Sequence, residues 1–290
     1  VNRRDSTFCP AIATLKNKFE LVYDIADSNA NGIISAKAIL KFLNNRSVTV
    51  KVVLGPNSSG SSMSMSNILA VFKIAHMSWA ATNARLSNKD DYPMFFRVVA
   101  PDSFTASKLA GWLHTLGYKT TNLAFFDASY QSGQAADFLQ AAKVSLGLTV
   151  NEYKMPSSGA GGAPISDANM LLVKNVLTQI LLTKIRVVVL IAINEEAYNF
   201  FQAVHAMKMM AEPGWLWCGC DGLSQGMARG DVERVKYFEG VVYLMAYTQG
   251  VHFPAYQQKW SDLMPSTARP EFSEFQLCYD KATDLEGVCA

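Results

Sequence analysis

Short apolar runs alternate with longer segments of helical periodicity along most of this chain. The apolar runs predict strands at residues 19–24, 50–54, 77–80, 95–99, 123–126, 149–153, 187–193, 215–218 and 240–246. Apolar residues spaced three and four apart predict helices at residues 34–43, 63–74, 105–116, 134–146, 167–183 and 195–210. Strands that alternate with helices of this length are typical of parallel sheets, so the sequence predicts an α/β fold.

The alternation of strands and helices runs twice, which predicts two lobes. The two units meet near residues 98–102 and again near residues 246–250. We therefore assign residues 1–101 to a first lobe, residues 102–246 to a second lobe and residues 247–290 to a return into the first lobe. Open parallel sheets bind ligands beyond the carboxyl ends of their strands, so we expect a ligand in the cleft between the lobes.

Hydroxyl groups, amides and carboxylates occupy the predicted strand ends. These residues are Asn57, Ser58, Ser59, Thr82, Asp127, Tyr130, Asn194, Glu195 and Asp221. None forms a nucleophile and base pair, since the four histidines are predicted inside or beside helices or in a turn. The chain also has no P-loop, no G-x-G-x-x-G motif and no zinc-binding Cys/His spacing. We therefore expect a protein that is not an enzyme and has no cofactor.

The segment VVLGPNSSG at residues 52–60 predicts a strand, a tight loop and the start of a helix. Free backbone N–H groups and the helix dipole bind anions at such junctions, and serine hydroxyls add donors. The alternative is an ordinary strand-to-helix loop whose serines only cap the helix.

The chain of 290 residues is 50% hydrophobic and 17% charged, which indicates a globular protein. A net charge of +2 without a dense basic patch argues against nucleic acid as a partner. Lys184 and Arg186 interrupt the richest apolar stretch, so no segment is long enough to span a membrane.

Five cysteines are too few for a scaffold built on disulfides. Cys218 and Cys220 would point the same way from one strand, which is poor geometry for a mutual bond. A disulfide between Cys278 and Cys289 would close a surface loop, and Cys9 has no obvious partner.

Two glycosylation sequons begin at Asn45 and Asn57 and hint at export. The second lies in the loop that we expect to bind ligand.

Three blocks in the first lobe resemble a known family. They are GPNSS at residues 55–59, SWAATNARLS at 78–87 and YPMFFRVVAPD at 92–102. Their order and spacing resemble the extracellular ligand-binding domain of class C G-protein-coupled receptors, natriuretic-peptide-type guanylate cyclase receptors and bacterial amino-acid-binding proteins. The resemblance implies a two-lobed type I periplasmic-binding fold, each lobe a mostly parallel sheet flanked by helices, that closes on a small ligand.

The resemblance also implies which residues bind an amino acid. The ligand carboxylate would be held by Ser58, Thr82 and the backbone N–H groups of Ser59 and Ala80. The ligand ammonium would meet Asp102, Tyr130 and Asp221, whose charges and aromatic face suit a cation.

The chain departs from the family pattern at several positions. Ala80 replaces a common serine, Gln131 replaces a common glycine, and no basic residue matches those that hold the distal acid of glutamate. The family's opening and closing elements also have no match in the sequence. We therefore expect a fragment or a truncated gene model, with the first lobe the weaker one if the chain folds alone.

Each assignment has an alternative. Ser58 and Thr82 would only cap helices, Tyr130 would be a packed aromatic, and Asp102 and Asp221 would be cap or turn residues. The whole clamp would then be a degenerate module that binds a protein in assembly, with Trp79 filling its pocket. On the receptor interpretation, we expect an extracellular, cell-surface or, in a bacterium, periplasmic domain. We also expect a homodimer or heterodimer through the first lobe, and a membrane segment elsewhere in the full protein.

Overall fold

The computed structural model describes residues 23–45, 49–159, 162–227 and 231–245. Within these ranges the strands form two parallel sheets, and helices connect successive strands. The predicted α/β fold, with a parallel sheet flanked by helices in each lobe, is confirmed.

Strands and helices alternate along most of the described chain. The strands are β1 (Val52–Leu54), β2 (Ala75–Ser78), β3 (Phe95–Arg97), β4 (Thr120–Phe126), β5 (Thr149–Met155), β6 (Val187–Ile191), β7 (Leu216–Cys220) and β8 (Val242–Leu244). The helices are α1 (Gly32–Leu43), α2 (Ser59–Val71), α3 (Asp102–Thr115), α4 (Ser129–Leu139), α5 (Asp167–Thr183), α6 (Asn194–Ala206), α7 (Gly222–Gly226) and α8 (Val232–Val235). Turns of 3-10 helix cover Ala84–Ser87 and Lys236–Phe238, and a π-helical turn covers Gln140–Ser145.

The first sheet has the strand order β1-β2-β3. Its register pairs Leu54 with Met77, and Met77 with Phe96. Helix α2 connects β1 to β2 and packs against α1, with Ile39 and Met65 in a small shared core. This arrangement places the loop after β1 beside the loop after β2.

The second sheet has the strand order β5-β4-β6-β7-β8. The sequence order reverses between β4 and β6, and such a switch point opens a crevice at the carboxyl ends of the strands. Asp127 and Tyr130 follow β4, Asn194 and Glu195 follow β6, and Asp221 follows β7. The fold therefore gathers the strand-end residues of the second lobe at one edge.

Apolar side chains cover both faces of the second sheet. Strand β6, with the sequence VVVLI, is buried along its whole length, as expected for a central parallel strand. Phe200 and Trp217 belong to the core on one face, and Leu109 and Phe138 to the core on the other. The second lobe is thus a rigid support for its strand-end loops.

The chain passes from the first sheet to the second through α3, which follows β3 and precedes β4. The assignment of residues 1–101, 102–246 and 247–290 to lobes stays a prediction. The predicted strand at 19–24 lies outside the described residues except for Tyr23 and Asp24, which are not in a strand.

Several predicted element boundaries are wrong. The strand predicted at 77–80 is β2, which ends at Ser78 because the side chain of that residue turns into the following loop. The helix predicted at 134–146 begins at Ser129 and ends in the π-helical turn, where the Leu148 N–H bonds the Ala142 carbonyl at 2.9 Å. His76 lies within β2, because parallel pairing with both neighbouring strands fixes that segment as a strand.

The helix predicted at 195–210 is α6, which ends earlier than expected, at Ala206. Met207, Met209 and Met210 lie beyond its end, where they still belong to the core or pack against it. Lys208 has a left-handed backbone with φ of 58°, which an α-helix does not continue.

Candidate functional site

The loop after β1 is held by buried side chains from its neighbours. The imidazole of His76 contacts the Gly55 carbonyl through Nε2 at 2.7 Å and the Ser66 hydroxyl through Nδ1 at 2.7 Å. The hydroxyls of Ser62 and Ser78 donate to the Pro56 carbonyl at 3.1 and 2.7 Å. Burial lowers the pKa of His76, so the imidazole is neutral in this network.

The two serines of this loop have structural partners. Ser58 is the N-cap of α2, and its hydroxyl accepts from the Ser61 N–H at 3.3 Å. The hydroxyl of Ser59 is buried and accepts from the Asn83 N–H at 3.2 Å. Ser58 therefore caps α2, which leaves its role in ligand binding a prediction, and Ser59 joins the loop after β1 to the loop after β2.

The loop after β2 is shaped by Ser78. Its hydroxyl accepts from the N–H groups of Ala80 and Ala81 at 3.3 and 3.0 Å. The bond to Ala80 is long for a hydrogen bond, so this N–H is weakly held. Trp79 is 55% exposed, and its ring lies over Gly55, whose φ is +83°.

Thr82, in the loop after β2, contacts Asp102 at the start of α3. The Asp102 N–H donates to the Thr82 carbonyl at 2.9 Å, and the Thr82 hydroxyl lies near enough to the Asp102 carboxyl to lower its pKa. Burial raises the pKa of Asp102 to about 7, with nearby Asp221 and Asp137 acting in the same direction and Thr82 and Arg97 against it. The alternative in which Thr82 caps a helix is not what the contacts show.

Tyr130 and Asp221 form the second half of the site. The Tyr130 hydroxyl donates to Oδ1 of Asp221 at 3.2 Å. Burial raises the pKa of Asp221, and the bond from Tyr130 opposes that shift. Asp221 also helps to raise the pKa of Asp102, and both carboxylates raise the pKa of Tyr130, so the three side chains share one region.

Three buried acceptor oxygens, of Asp102 and two glutamines of α4, lack hydrogen-bond partners in the part of the chain that the structure describes. Oδ2 of Asp102 and Oε1 of both Gln131 and Gln134 are buried and have no hydrogen-bond partner among the described residues. The Gln134 amide approaches Oδ1 of Asp102 at 3.5 Å. Buried acceptors without donors are rare, because their desolvation is uncompensated. A cationic group beside Oδ2 of Asp102, or a proton on that carboxyl, would satisfy this oxygen.

Residues 11–280 match a family model described as receptor family ligand binding region. The chain belongs to this family. The match extends across both lobes and supports the resemblance that the motif blocks indicated.

Curated relatives are receptors with glutamate in their names. The chain is 26% identical to glutamate receptor 3.1 of Oryza sativa subsp. japonica, over 82% of this chain and 24% of that protein. It is 24% identical to glutamate receptor 3.4 of Arabidopsis thaliana, over 83% of this chain and 24% of that protein. It is 26% identical to metabotropic glutamate receptor 8 of Homo sapiens, over 61% of this chain and 18% of that protein. The chain thus spans about a quarter or less of each of these proteins.

The candidate residues of this ligand-binding region separate into two sets. Thr82, Asp102, Tyr130 and Asp221 lie in one connected group. Ser58, Ser59 and Ala80 lie in the two first-lobe loops, which Ser59 joins through its bond to Asn83 next to Thr82. Their roles in binding stay predictions.

Sequence reasoning missed three buried polar residues near the site. Glu196 is completely buried, and its carboxylate accepts from the Gln131 amide at 2.7 Å and from the Ser158 N–H and hydroxyl, both at 2.9 Å. Burial raises its pKa, against these hydrogen bonds. The second missed residue is Gln134, and the third is Asn83. The one sequence signal for these residues was a polar side chain at a position where a helix or loop faces the protein interior.

A cavity of about 260 Å³ lies beside the site between the 3-10 turn at Ala84–Ser87 and helix α4. Met63 and Arg85 contribute to its wall from the first lobe, and Gly133 and Asp137 from the second. The two lobes are therefore in contact next to the candidate site.

The remaining site predictions have mixed outcomes. Cys218 and Cys220 lie on one face of β7, as predicted, and both are free and buried. Cys9, Cys278 and Cys289 lie outside the described residues, so the disulfide between the last two stays a prediction. Asn45 and Asn57 are exposed, and their glycosylation stays a prediction.

The described ranges contain neither a metal cluster nor a helix suited to a membrane. No cluster of three or more His, Cys, Asp or Glu side chains there is placed to hold a metal ion. None of the helices in these parts of the chain is long and apolar enough to cross a membrane.

Proposed function

We propose that this chain is a receptor's ligand-binding domain that closes on a small zwitterion such as an amino acid. The observation that carries the proposal is the buried Oδ2 of Asp102, which has no hydrogen-bond donor among the described residues. A ligand ammonium group supplies three N–H donors and a positive charge at that place. The family membership supports the same class of function.

The cationic end of the ligand binds between Asp102, Tyr130 and Asp221. The Tyr130 hydroxyl keeps its bond to Asp221 and leaves the aromatic face and the second carboxylate oxygen for the ammonium group. Desolvation on closure strengthens each of these charge interactions.

The anionic end binds at the first-lobe loops. The Ala80 N–H gives up only its long hydrogen bond to the Ser78 hydroxyl when it binds the ligand carboxylate. Ser58 and Ser59 lie at the N-terminus of α2, where the helix dipole is positive. The Thr82 hydroxyl has a single proton, so it turns from Asp102 to the ligand carboxylate when the ligand arrives. A zwitterion gains more than an acid or an amine because it satisfies both ends at once.

The domain acts as a sensor and not as an enzyme. Closure shifts the equilibrium between open and closed forms, by no more than the ligand's differential affinity for the closed form. We infer that the signal passes to a membrane segment elsewhere in the full protein, and that this domain lies outside the cell or, in a bacterium, in the periplasm. Val71 and Phe72, exposed apolar residues at the end of α2, support a homodimer or heterodimer contact through the first lobe.

A second candidate function is a clamp that binds a protein without a small ligand. The direct bond between Tyr130 and Asp221, and the internal partners of Ser58 and Ser59, favour it, because several candidate groups satisfy one another without a ligand. It predicts no response to any amino acid.

Thermal unfolding with a panel of the twenty amino acids separates the two functions. A ligand at 100 times its dissociation constant adds about 2.7 kcal/mol to the free energy of unfolding. We expect one or more amino acids to raise the melting temperature of the parent chain, and Thr82→Ala and Asp221→Ala to abolish the shift. A cooperatively folded parent chain that no amino acid stabilises would overturn the zwitterion proposal in favour of the protein clamp.

A further inference from the structure

Asn83 connects the two lobes beside the candidate site. Its side-chain Nδ2 donates to the Ser129 carbonyl, at the start of α4 in the second lobe, at 2.6 Å. Its backbone N–H donates to the Ser59 hydroxyl in the first lobe at 3.2 Å, and its Oδ1 accepts from the Arg85 N–H at 2.9 Å. Only 2% of Asn83 is exposed. Both polar groups of the side chain are therefore hydrogen-bonded, and one of these bonds crosses between the lobes.

Two glycines permit this close approach. A methyl group at Gly133 of α4 would overlap the side-chain amide of Asn83. A methyl group at Gly60 of α2 would lie 3.0 Å from the Ser129 hydroxyl and 3.4 Å from its Cβ. The lobes thus touch at two points where one partner has no side chain. Glycine inside a helix is unfavourable by itself, so these positions have a packing reason.

We propose that Asn83 is a positioning residue that holds the ligand-free lobes together by its bond to the Ser129 carbonyl. Its place in ligand binding rests on the function proposed above. Asn83 directly follows Thr82, and Ser129 directly precedes Tyr130. The contact between Asn83 and Ser129 therefore sets the spacing between the first-lobe and second-lobe halves of the site.

This contact pre-organises the clamp. If the binding-competent arrangement is only fractionally populated, the apparent dissociation constant rises by the inverse of that fraction. A chain without the Asn83 bond opens more often, so it binds the same ligand more weakly even though no ligand-contacting residue has changed. The Arg97 guanidinium supports the loop from the other side by donating to the Asn83 carbonyl at 2.9 Å.

An engineered disulfide measures the lobe contact without any ligand. Cβ atoms at residues 60 and 129 would be 3.4 Å apart, close to the ~3.5–4.5 Å range of disulfides. In a chain with Gly60→Cys and Ser129→Cys, the rate of cross-linking under mild oxidation, followed by mass spectrometry of the joined peptides, reports how often the lobes meet. The Gly60→Cys single variant identifies any cross-links to native cysteines.

Two variants break the contact in different ways, and one is a matched control. Asn83→Asp keeps the acceptor for the Arg85 N–H but replaces the donor to Ser129 with an oxygen. Gly133→Ala keeps Asn83 and displaces its side chain. Gly111→Ala is the control, because a methyl group there meets nothing within 4 Å, and Gly111 also lies within a helix, α3.

We expect Asn83→Asp and Gly133→Ala each to slow cross-linking by up to about tenfold, because losing one hydrogen bond lowers the ratio of closed to open lobes by up to that factor. Gly111→Ala should leave the rate unchanged. Near-ultraviolet circular dichroism checks that each variant keeps its tertiary packing. Cross-linking as fast in both variants as in the parent, or a parent that does not cross-link, would overturn the proposal. A parent that cross-links but responds to no amino acid would refute the proposed ligand and leave the lobe contact standing.

Discussion

The Tyr130 hydroxyl donates to Oδ1 of Asp221 at 3.2 Å, although the two residues are 91 positions apart in sequence. Tyr130 lies in the first turn of α4 after β4, and Asp221 directly follows β7. Strand β6 lies between these two strands in the sheet. The contact therefore spans the switch-point edge of the second lobe and fixes the tyrosine ring over the crevice.

Replacing Tyr130 with phenylalanine tests this contact. Tyr130→Phe removes the donor and leaves the buried Asp221 carboxylate with one partner fewer, so we expect a loss of about 1 kcal/mol in the free energy of unfolding. Urea unfolding measures that loss. Tyr118→Phe is the matched control, because no hydrogen bond of its hydroxyl is found among the described residues, and we expect it to change stability by less than about 0.5 kcal/mol. An equal effect of the two substitutions would contradict the role of the Asp221 bond.

Asp102 gives the domain a pH-dependent stability. The pKa of its carboxyl is raised from 3.8 to about 7 in the folded chain, mainly by burial. The folded chain then binds the proton more tightly than the unfolded chain. This contribution to stability is complete below pH ~4 and is lost as the pH rises through about 7. Three pKa units set an upper bound of about 4 kcal/mol on the loss.

The comparison of wild type with Asp102→Asn isolates this effect, because Asp221 and Glu196 also have raised pKa values and act with the same sign. In Asp102→Asn, a side-chain N–H group takes the place of the proton on the Asp102 carboxyl. This N–H group can donate to the unpartnered Oε1 of Gln134. We expect the difference in unfolding free energy between the two chains to change in favour of Asp102→Asn from pH 5 to about pH 7, and to level off by pH 8. A difference that is constant over that range would mean that Asp102 titrates normally.

Most of the fold was predictable because it depends on local pattern. The run VVVLI and the segment that forms α5 each have a single plausible structure, and α5 has the predicted limits, Asp167–Thr183. The position of β2 was not predictable to the residue. It depends on parallel pairing with strands that are distant in sequence, and on Ser78, whose hydroxyl ends the strand.

The candidate site was predictable only in part for the same physical reason. Thr82, Asp102, Tyr130 and Asp221 were found because strand ends converge in parallel sheets and because motif blocks pointed to them. Gln134 and Glu196 were missed, since each is a polar residue in the middle or first turn of a helix whose burial depends on tertiary packing. Nothing in the local sequence distinguishes such a residue from a solvated one.

Glu196 anchors the loop after β5 to the site. Its carboxylate accepts from the Ser158 N–H and hydroxyl and from the Gln131 amide. Glu196→Leu leaves these buried donors unpaired, so we expect a loss of about 3 kcal/mol in unfolding free energy. Glu196→Gln is the isosteric control, because it keeps one acceptor oxygen for Ser158 and the Gln131 amide can turn its free oxygen toward the new N–H.

Denaturant unfolding at pH 7, combined with amide hydrogen exchange at Ser158, measures both variants. We expect exchange at Ser158 to accelerate in Glu196→Leu and to stay near the wild-type rate in Glu196→Gln. Equal losses of stability in the two variants would show that the negative charge, and not the acceptor oxygens, holds the loop.

His76 supports the Gly55–Pro56 loop from beneath. Both ring nitrogens are hydrogen-bonded, to Ser66 and to the Gly55 carbonyl, and the ring packs edge-on against Phe95 at 5.1 Å between centroids. His76→Leu removes both bonds and leaves a buried carbonyl and hydroxyl, so we expect a loss of about 2–4 kcal/mol. The exposed His114 provides the control, because His114→Leu should change stability by less than about 0.5 kcal/mol.

The pH dependence of His76→Leu shows whether the neutral imidazole causes this stability difference. Burial lowers the pKa of His76 below its ordinary value of 6.5, so the unfolded chain binds the proton more tightly. The stability that the neutral imidazole contributes is present above pH ~6.5 and is lost as the pH falls through the lowered value. This sign is opposite to that of Asp102, and the stability gap between wild type and His76→Leu should therefore narrow on acidification, as measured by urea unfolding between pH 7.5 and 5. A constant gap would mean that the imidazole binds protons equally in the folded and unfolded chains, and a widening gap would mean that the folded loop favours the charged imidazole.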